Sequence, residues 1–197
     1  MKKIFLIVIF YSCCIHSIVL CQGIKNIWQL GYNSGVLPKC YMDFSNGSPV
    51  SNAINRPMNF GPTCTSICND SGNLLFYTNG VWIANQNHDT LFNSEDFNIG
   101  WQTNNASFLG LDIQQGAIIL PFPNDSNQYI LFHVSGEPYT YQLPGDSVLY
   151  PSWQPFHLSY SVINMTLDGG LGGIVSGQKD VHAVNDTLFQ GWITACK

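Results

Sequence analysis

A polar turn followed by an apolar, strand-forming run occurs twice along the chain. Residues 69–73 (NDSGN) lead into 74–80 (LLFYTNG), and residues 124–128 (NDSNQ) lead, after one extra residue, into 130–136 (ILFHVSG). Asn, Asp, Ser and Gly favour turns, whereas aromatic and β-branched residues favour strands. The second turn begins 55 residues after the first. Such a repeat is typical of stacked β-sheet architectures, including propellers.

The segments before the two turns, 64–68 and 117–122, are apolar as well, so each unit reads as strand, turn and strand. The last residues, 191–197, predict the opening strand of a third hairpin whose return strand would follow. A hairpin repeat buries its apolar face only against neighbouring repeats. We therefore expect a partial propeller-like domain of about two to three blades. It would be the N-terminal portion of a larger protein, with C-terminal domains to follow, and marginally stable or self-associating alone.

The remaining pattern predicts strands and loops without a helix. Further strands are predicted at 40–44, 81–84 and 158–165. Residues 93–112 predict a long loop, and 136–157, which contain four prolines, predict a surface loop insertion. The glycine cluster 168–173 predicts a turn, because no Gly-Lys-Ser/Thr follows it as a phosphate-binding loop requires. No segment has a 3.6-residue period, so we predict an all-β protein of antiparallel hairpins.

The N-terminus has the organisation of a secretory signal. Lys2 and Lys3 precede an apolar run, 4–10, that continues less purely to residue 20. Val19 and Cys21 are small enough for the −3 and −1 positions of a signal-peptidase site.

We therefore predict a signal peptide over residues 1–21 and a mature domain over 22–197, located outside the cell or on its surface, in association with the outer membrane. Two alternatives stay open. One is a membrane anchor, although the apolar stretch is short for a span of about 20 residues. The other is a lipoprotein acylated at Cys13 or Cys21.

The charge balance argues against nucleic acid as a partner. Beyond residue 21 the chain keeps 7 − 2 = 5 basic residues against 12 acidic ones, a net charge of 5 − 12 = −7. No basic patch is present, as a nucleic-acid surface would require. Only 10% of all residues are charged. This composition is typical of an extracellular β-protein without a membrane span in its mature part.

Four cysteines remain after cleavage, namely Cys40, Cys64, Cys68 and Cys196. An even number in an exported protein favours disulfides. On one strand Cys64 and Cys68 would lie about 13 Å apart, too far for a bridge with Cα atoms about 4.4–6.8 Å apart. We expect Cys40 to pair with Cys64 or Cys68, with buried free thiols as the alternative. A zinc site is disfavoured, because no second pair of ligands lies nearby.

Aromatic residues in the proline-rich segment are the best candidates for ligand binding. They are Tyr139, Tyr141, Tyr150 and Trp153. The wider set of aromatic candidates adds Trp82, Trp101 and Trp192. Aromatic faces stack on sugar rings and apolar ligands while the ring edge stays polar. We therefore predict that these residues contact glycans or other surface proteins. The alternative is that they pack the segment onto the sheet.

Other polar residues have ordinary structural explanations. Asp70 and Asp125 occupy matching positions in the two turns and could bind calcium, but Asx turns explain both without a metal. His133 replaces Tyr77 in the repeat, which favours packing or hydrogen bonding. His88 sits in a turn beside Asp89, which favours a turn-stabilising pair over a general base oriented by the carboxylate. We predict no metal site and no cofactor.

Three segments resemble a known family. Residues 70–80 with Asn87 and His88, residues 115–121, and residues 158–172 (LSYSVINMTLDGGLG) are similar to recurring segments of secreted Bacteroidetes proteins. The resemblance extends from about Trp28 to Cys196. It implies an N-terminal β-propeller-like region, often followed by a sorting domain for type IX secretion or a gliding-motility-associated domain. We expect any such domain to lie beyond residue 197, and the family pattern supplies no catalytic residues.

The same resemblance directs attention to a short modification motif. Bacteroidetes glycosylate the hydroxyl group of Asp-Ser/Thr-apolar tripeptides, and three such tripeptides occur in loop-like places. The candidate O-glycosylation residues are Thr90, Ser147 and Thr187.

The function predicted from the sequence is that of a non-catalytic binding or scaffold module of a surface protein. A second hypothesis is a polysaccharide-acting hydrolase or lyase, which needs paired carboxylates about 5–9.5 Å apart. The loosely suitable acids are Asp112, Glu137, Asp168 and Asp180, and no motif pairs them. A third hypothesis is a purely structural spacer of an adhesin.

Overall fold

The computed structural model describes residues 26–35, 38–106, 108–188 and 193–195. The predicted signal peptide, 1–21, lies outside the described residues, as do Trp192 and Cys196. Of the predicted third hairpin only 193–195 are described, and they do not form a strand. Within the described residues no helix is long and apolar enough to cross a membrane.

The first sheet contains β1 (Ile27–Leu30), β2 (Cys40–Asp43) and β3 (Val50–Ala53), in that order and antiparallel. Strand β2 confirms the prediction for 40–44, whereas β1 was not predicted. The turn after β2 is closed by Asp43, whose Oδ1 accepts the Ser45 N–H at 2.8 Å. The Ser45 hydroxyl donates to the same oxygen at 2.5 Å, and the hydroxyl bond and then the N–H bond hold the pKa of the Asp43 carboxyl below its usual value.

The second sheet is the first predicted hairpin with a third strand added. Its strands are β4 (Thr65–Cys68), β5 (Leu74–Thr78) and β6 (Ile83–Asn85), with β5 in the centre. The polar turn forms as predicted, because Asn69 Oδ1 accepts the Asn73 N–H at 3.0 Å. Strand β6 begins two residues later than the predicted 81–84.

The third sheet contains the second hairpin and is the largest. Its strands are β7 (Ala117–Phe122), β8 (Asp125–Gln142), β9 (Leu149–Asn164), β10 (Gly173–Ile174) and β11 (Val181–Asn185). The order is β10-β9-β8-β7, and β11 also pairs with β9. The predicted turn 124–128 is mostly the bulged start of β8, in which Phe122 faces Asp125 and Pro121 faces Tyr129. All three sheets are antiparallel, which confirms the all-β class and its hairpin units.

The prediction of a loop insertion over 136–157 is wrong. Strands β8 and β9 run on as a hairpin, paired from Gly136 with Pro155 to Gln142 with Leu149. Strand β7 pairs with β8 only as far as His133, so beyond this residue β8 and β9 continue as a two-stranded hairpin. We call residues 136–155 the arm.

Proline is tolerated in the arm because of its register. Pro138 lies opposite Trp153, and Pro151 lies opposite Thr140, two pairs along the ladder. A proline without an N–H fits where the backbone group points away from the partner strand, at a sheet edge. Both rings therefore occupy outward-facing positions and leave the ladder intact.

Apolar residues from the second and third sheets form the main core. It includes Phe76 and Ile83 from the second sheet and Leu131, Ile163 and Ile174 from the third. Between these sheets the chain makes a single helical turn, α1 (Trp101–Asn104), inside the predicted loop 93–112. A short 3₁₀ turn, Asp168–Gly170, occupies the predicted glycine-rich turn.

Gly110 marks a close approach in the connection after α1. Its φ is +98°, and a Cβ there would lie 2.7 Å from Asn79 Nδ2. Asn79 is buried and donates to the Asn59 carbonyl at 3.0 Å. A side chain at position 110 would therefore strain the backbone and displace this hydrogen bond.

Candidate functional site

Three of the four predicted aromatic residues share one face of the arm. Tyr141 lies opposite Tyr150, and Tyr139 lies opposite Ser152. Cross-strand partners and alternate residues of a strand share a face, so the three tyrosines form a row. The rings of Tyr141 and Tyr150 stack at 5.5 Å with an interplanar angle of 28°, and Tyr139 lies 6.2 Å from Tyr141. Tyr139 is 39% exposed and Tyr141 is 42% exposed.

The tip of the arm holds one end of this row in place. The Tyr150 hydroxyl donates to Asp146 Oδ2 at 2.6 Å, and Asp146 Oδ1 accepts the Val148 N–H at 3.0 Å. The hydrogen bond from Tyr150 lowers the pKa of the Asp146 carboxyl and raises the pKa of the Tyr150 hydroxyl. Asp146 is therefore an anion at the tip that orients the Tyr150 ring.

Trp153 lies on the opposite face from the tyrosines. Its partner is Pro138, one position along from Tyr139 in the register. Trp153 is half-buried and packs against the cluster of Leu111, Ile113 and Val134. The packing alternative therefore describes Trp153, which anchors the arm to the body, whereas the tyrosines are free of the core.

A groove of about 480 Å³ lies between the arm and α1. Trp101 lines it from the helical turn and is 40% exposed. From the arm it is lined by Pro138, Tyr139, Thr140, Pro151, Ser152 and Trp153. Trp101 belongs to the wider set of predicted aromatic candidates, but the sequence did not predict that its helical turn would lie beside the arm.

A buried acceptor lies beside this groove. Gln102 donates through Nε2 to the Asp112 carbonyl at 3.2 Å, while its Oε1 has no hydrogen-bond partner among the described residues. A Cβ on Gly136 would lie 2.7 Å from this oxygen and 3.1 Å from Trp153 Cε3. Gly136 therefore leaves room for α1 against the base of the arm.

The histidines on the third sheet form a polar network that sequence reasoning missed. His133 is 0% exposed, and its Nδ1 lies 2.9 Å from Asn98 Oδ1. The Asn98 amide donates through Nδ2 to the carbonyls of Gly80 and Val134 at 2.8 and 3.1 Å, which fixes its orientation. Asn98 Oδ1 can only accept, so His133 carries its proton on Nδ1. Asn98 thus joins the second sheet to the third.

The other ring nitrogen of His133 faces Asp180 and Ser161. Nε2 lies 3.3 Å from Asp180 Oδ1 and 3.3 Å from Ser161 Oγ. Burial lowers the pKa of His133 to about 3, and burial also raises the pKa of Asp180. The serine and the carboxylate approach the same nitrogen, and the histidine is inaccessible. This arrangement therefore lacks the relay geometry of a Ser-His-Asp triad and acts in packing.

A second set of histidines lies at the base of the arm. His157 Nε2 lies 3.4 Å from Glu137 Oε1, and the rings of His157 and His182 lie 5.0 Å apart. His182 Nδ1 is bonded to Ser159 Oγ at 2.9 Å. These contacts tie β8, β9 and β11 together where the arm leaves the body.

His88 lies in the predicted turn and contacts a core tyrosine of the second sheet. Its Nδ1 is bonded to the buried Tyr77 hydroxyl at 2.8 Å. Burial raises the pKa of Tyr77 to about 12 and lowers the pKa of His88. The proton therefore stays on Tyr77, which donates to a neutral His88.

Two of the acids considered for glycoside hydrolysis, Asp180 and Glu137, contact different partners. Asp180 is bonded to the Asn98 N–H at 3.0 Å within the His133 network, while Glu137 faces His157. Each of these two carboxylates thus has a partner other than a second carboxylate.

The cysteines and the calcium candidates show the following contacts. Cys40, Cys64 and Cys68 are free thiols, and the buried Cys68 Sγ accepts the Ile27 N–H at 3.3 Å. These three cysteines therefore match the free-thiol alternative, whereas Cys196 lies outside the described residues. Asp125 Oδ1 accepts the Asn127 N–H at 2.9 Å, which forms an Asx turn, and Asp125 Oδ2 accepts from Gln128 Nε2 at 2.7 Å. Among the described residues no group of three or more His, Cys, Asp and Glu side chains could hold a metal ion.

The candidate glycosylation residues Thr90, Ser147 and Thr187 are all exposed. Ser147 lies at the tip of the arm, between Asp146 and Val148, and Thr187 Oγ1 accepts from Gln154 Nε2 at 3.3 Å.

In comparisons with known proteins, no protein family, curated protein or solved structure matches the chain. The resemblance to secreted Bacteroidetes proteins therefore stays a prediction.

Proposed function

We propose that this chain is a non-catalytic glycan-binding module of an exported, propeller-like surface protein, and that the arm is its binding element. The observation that carries the proposal is the row of tyrosines. A projecting two-stranded hairpin holds the exposed Tyr139 and Tyr141 beside Tyr150, away from every core. Exposed aromatic rings in a contiguous row mark interaction sites rather than packing.

The chemistry of the row suits sugars. The apolar face of a pyranose ring stacks on an aromatic ring, while the tyrosine hydroxyls stay available to sugar hydroxyls. The adjoining groove adds Trp101 and the hydroxyl of Ser152, which shares the tyrosine face as the partner of Tyr139. A ligand on the row could therefore extend into the groove.

The edges of the arm disfavour the main protein-binding alternative, addition of a strand. Pro138 and Pro151 occupy outward-facing positions on the two edges, where an added strand would need an N–H donor. A ligand therefore meets the faces of the arm rather than its edges.

The rival functions fit the geometry less well. A hydrolase needs two carboxylates across a scissile bond, and Glu137 and Asp180 are each engaged by a histidine instead. A purely structural spacer does not require an exposed row of tyrosines. The location outside the cell rests on the N-terminal pattern, Lys2 and Lys3 followed by the apolar run 4–10.

The test is binding of the purified protein to a panel of immobilised glycans, with release of reducing ends followed in parallel. Tyr141→Ala should weaken binding by roughly 3- to 10-fold, since an aromatic stacking contact contributes about 0.5–1.5 kcal/mol. The matched control is Tyr32→Ala, which removes a tyrosine that is 47% exposed in the connection after β1.

Binding lost in the Tyr141 variant and retained in the Tyr32 variant supports the proposal. An equal loss in both variants, or no bound glycan at all, contradicts it. Release of reducing ends would support the enzyme instead.

A further inference from the structure

The distribution of charge indicates which class of glycan the arm accepts. The described residues contain three cationic side chains of lysine and arginine, namely Lys39, Arg56 and Lys179. An acidic polysaccharide carries a carboxylate or sulfate on successive sugars and is held by lysine or arginine in most recognition sites of this chemistry. The position and engagement of these three cations are therefore decisive.

Arg56 is buried inside the body and cannot meet a ligand. It is 2% exposed, its Nε donates to Gln29 Oε1 at 3.0 Å, and its two terminal nitrogens donate to the carbonyls of Met58 and Leu30. Its guanidinium carbon also lies 4.5 Å from the centre of the Phe60 ring. All of these partners belong to the first sheet and the connection that follows it.

The two lysines are occupied by backbone carbonyls elsewhere. Lys39 Nζ donates to the carbonyls of Arg56 and Pro57, and Lys179 Nζ donates to the Glu95 carbonyl at 2.6 Å. Neither lysine lines the groove.

The arm itself carries charges of the opposite sign at both ends. Asp146 is held as an anion at the tip by the Tyr150 hydroxyl, and Glu137 lies at the base with 37% of its side chain exposed. None of the residues that line the groove between these ends is charged. A ligand on the tyrosine row therefore meets uncharged hydroxyl and aromatic groups, flanked by two carboxylates.

We infer that the arm prefers neutral glycans to uronate-rich and sulfated ones. This inference rests on the proposed function and narrows it. A neutral sugar stacks on the tyrosines and bonds to the hydroxyl of Ser152 without a charge penalty. An anionic chain laid along the same row brings its charges towards Asp146 and Glu137, and like charges at close range repel.

The experiment compares matched pairs of glycans that differ only in charge. Oligogalacturonide is used as the free acid and as its full methyl ester, and a sulfated galactan is used before and after desulfation. Binding to the whole protein is measured at about 0.02 M and about 0.5 M salt. We expect the neutral member of each pair to bind about tenfold more tightly at low salt. The difference should shrink at high salt, because salt screens exposed charges.

Two sets of variants separate this inference from the proposed function. Glu137→Gln with Asp146→Asn removes both carboxylates, keeps their acceptor oxygens, and should reduce the low-salt preference for the neutral form. Tyr141→Ala should weaken binding of both forms alike.

Equal or tighter binding of the acidic forms that is still lost with Tyr141→Ala overturns the inference and leaves the proposed function standing. A preference for neutral forms that is unchanged in the double variant overturns the role assigned to the two carboxylates. Absence of binding to any member of the panel overturns the proposed function, and this inference with it.

Discussion

Lowering the pH should destabilise the protein through His133. Burial holds the pKa of this histidine at about 3, compared with its ordinary value of 6.5. Between these two values the unfolded chain binds a proton at His133 and the folded chain does not. Stability contributed by the neutral imidazole is therefore fully present above pH 6.5 and is lost as the pH falls towards 3.

The size of the effect follows from the shift. Each pH unit below the unfolded pKa costs about 1.36 kcal/mol for one proton. Acidification from about pH 7.5 to about pH 5 should therefore lower the free energy of unfolding by about 2 kcal/mol. Burial raises the pKa of Asp180, so this group acts in the opposite direction, because its folded form binds a proton more readily than its unfolded form. The effect of Asp180 begins above its ordinary pKa of 3.8, as the pH falls through its raised folded pKa, and it partly offsets the loss from His133 there.

The measurement is urea unfolding of the wild type and of His133→Gln at a series of pH values from about 7.5 to about 5. The variant should be less stable at neutral pH, and it should lose most of the pH dependence. His88→Gln is the matched control. It removes a half-buried histidine whose pKa is also lowered, and it should keep the larger part of the slope. Retention of the full wild-type slope in His133→Gln would refute the reasoning, as would a wild type that becomes more stable on acidification.

Three further predictions concern the backbone, the buried cation and modification. Gly110→Ala should destabilise the protein by about 1–3 kcal/mol more than Gly145→Ala in urea unfolding, because both glycines have positive φ but only Gly110 faces Asn79. Equal losses would contradict this. Arg56→Lys should lower the free energy of unfolding by about 3 kcal/mol, since an ammonium cannot donate at once to the separate carbonyls that the guanidinium reaches. A decrease below about 1 kcal/mol would show that those hydrogen bonds are dispensable. If the protein is O-glycosylated in its native host, replacing Thr90, Ser147 and Thr187 by alanine should reduce its intact mass to that of the bare chain. An unchanged mass would exclude these three residues as acceptors.

Local patterns predicted the parts of the fold that local interactions determine. The turn at 69–73 formed as expected because Asn69 closes it within four residues. The arm was missed because its prolines were read as strand breakers. Whether a proline breaks a strand depends on which way its missing N–H would point, and the pairing partner determines that direction. Pro138 and Pro151 have partners 15 and 11 residues away, at Trp153 and Thr140.

The candidate site was likewise predicted only where local sequence determines it. The aromatic composition of 139–153 identified the right segment, yet its register assigned Trp153 to the face opposite Tyr139 and Tyr141. The His133 network was out of reach of sequence reasoning, because its members are distant along the chain. Asn98 and Asp180 come from two loops, and each is an ordinary polar residue by its neighbours.

The separation of the arm from the cores has a consequence for how this protein can change over generations. The ladder hydrogen bonds of the arm join its own two strands. The arm meets the body through Trp153, through Glu137 with His157, and through the Pro155 carbonyl, which accepts the Leu188 N–H at 2.9 Å. Substitutions on its exposed face therefore leave the packed residues that determine the fold untouched. Lineages can alter residues 139–150 to suit a new surface while they keep the same scaffold, so ligand preference should diverge faster than architecture.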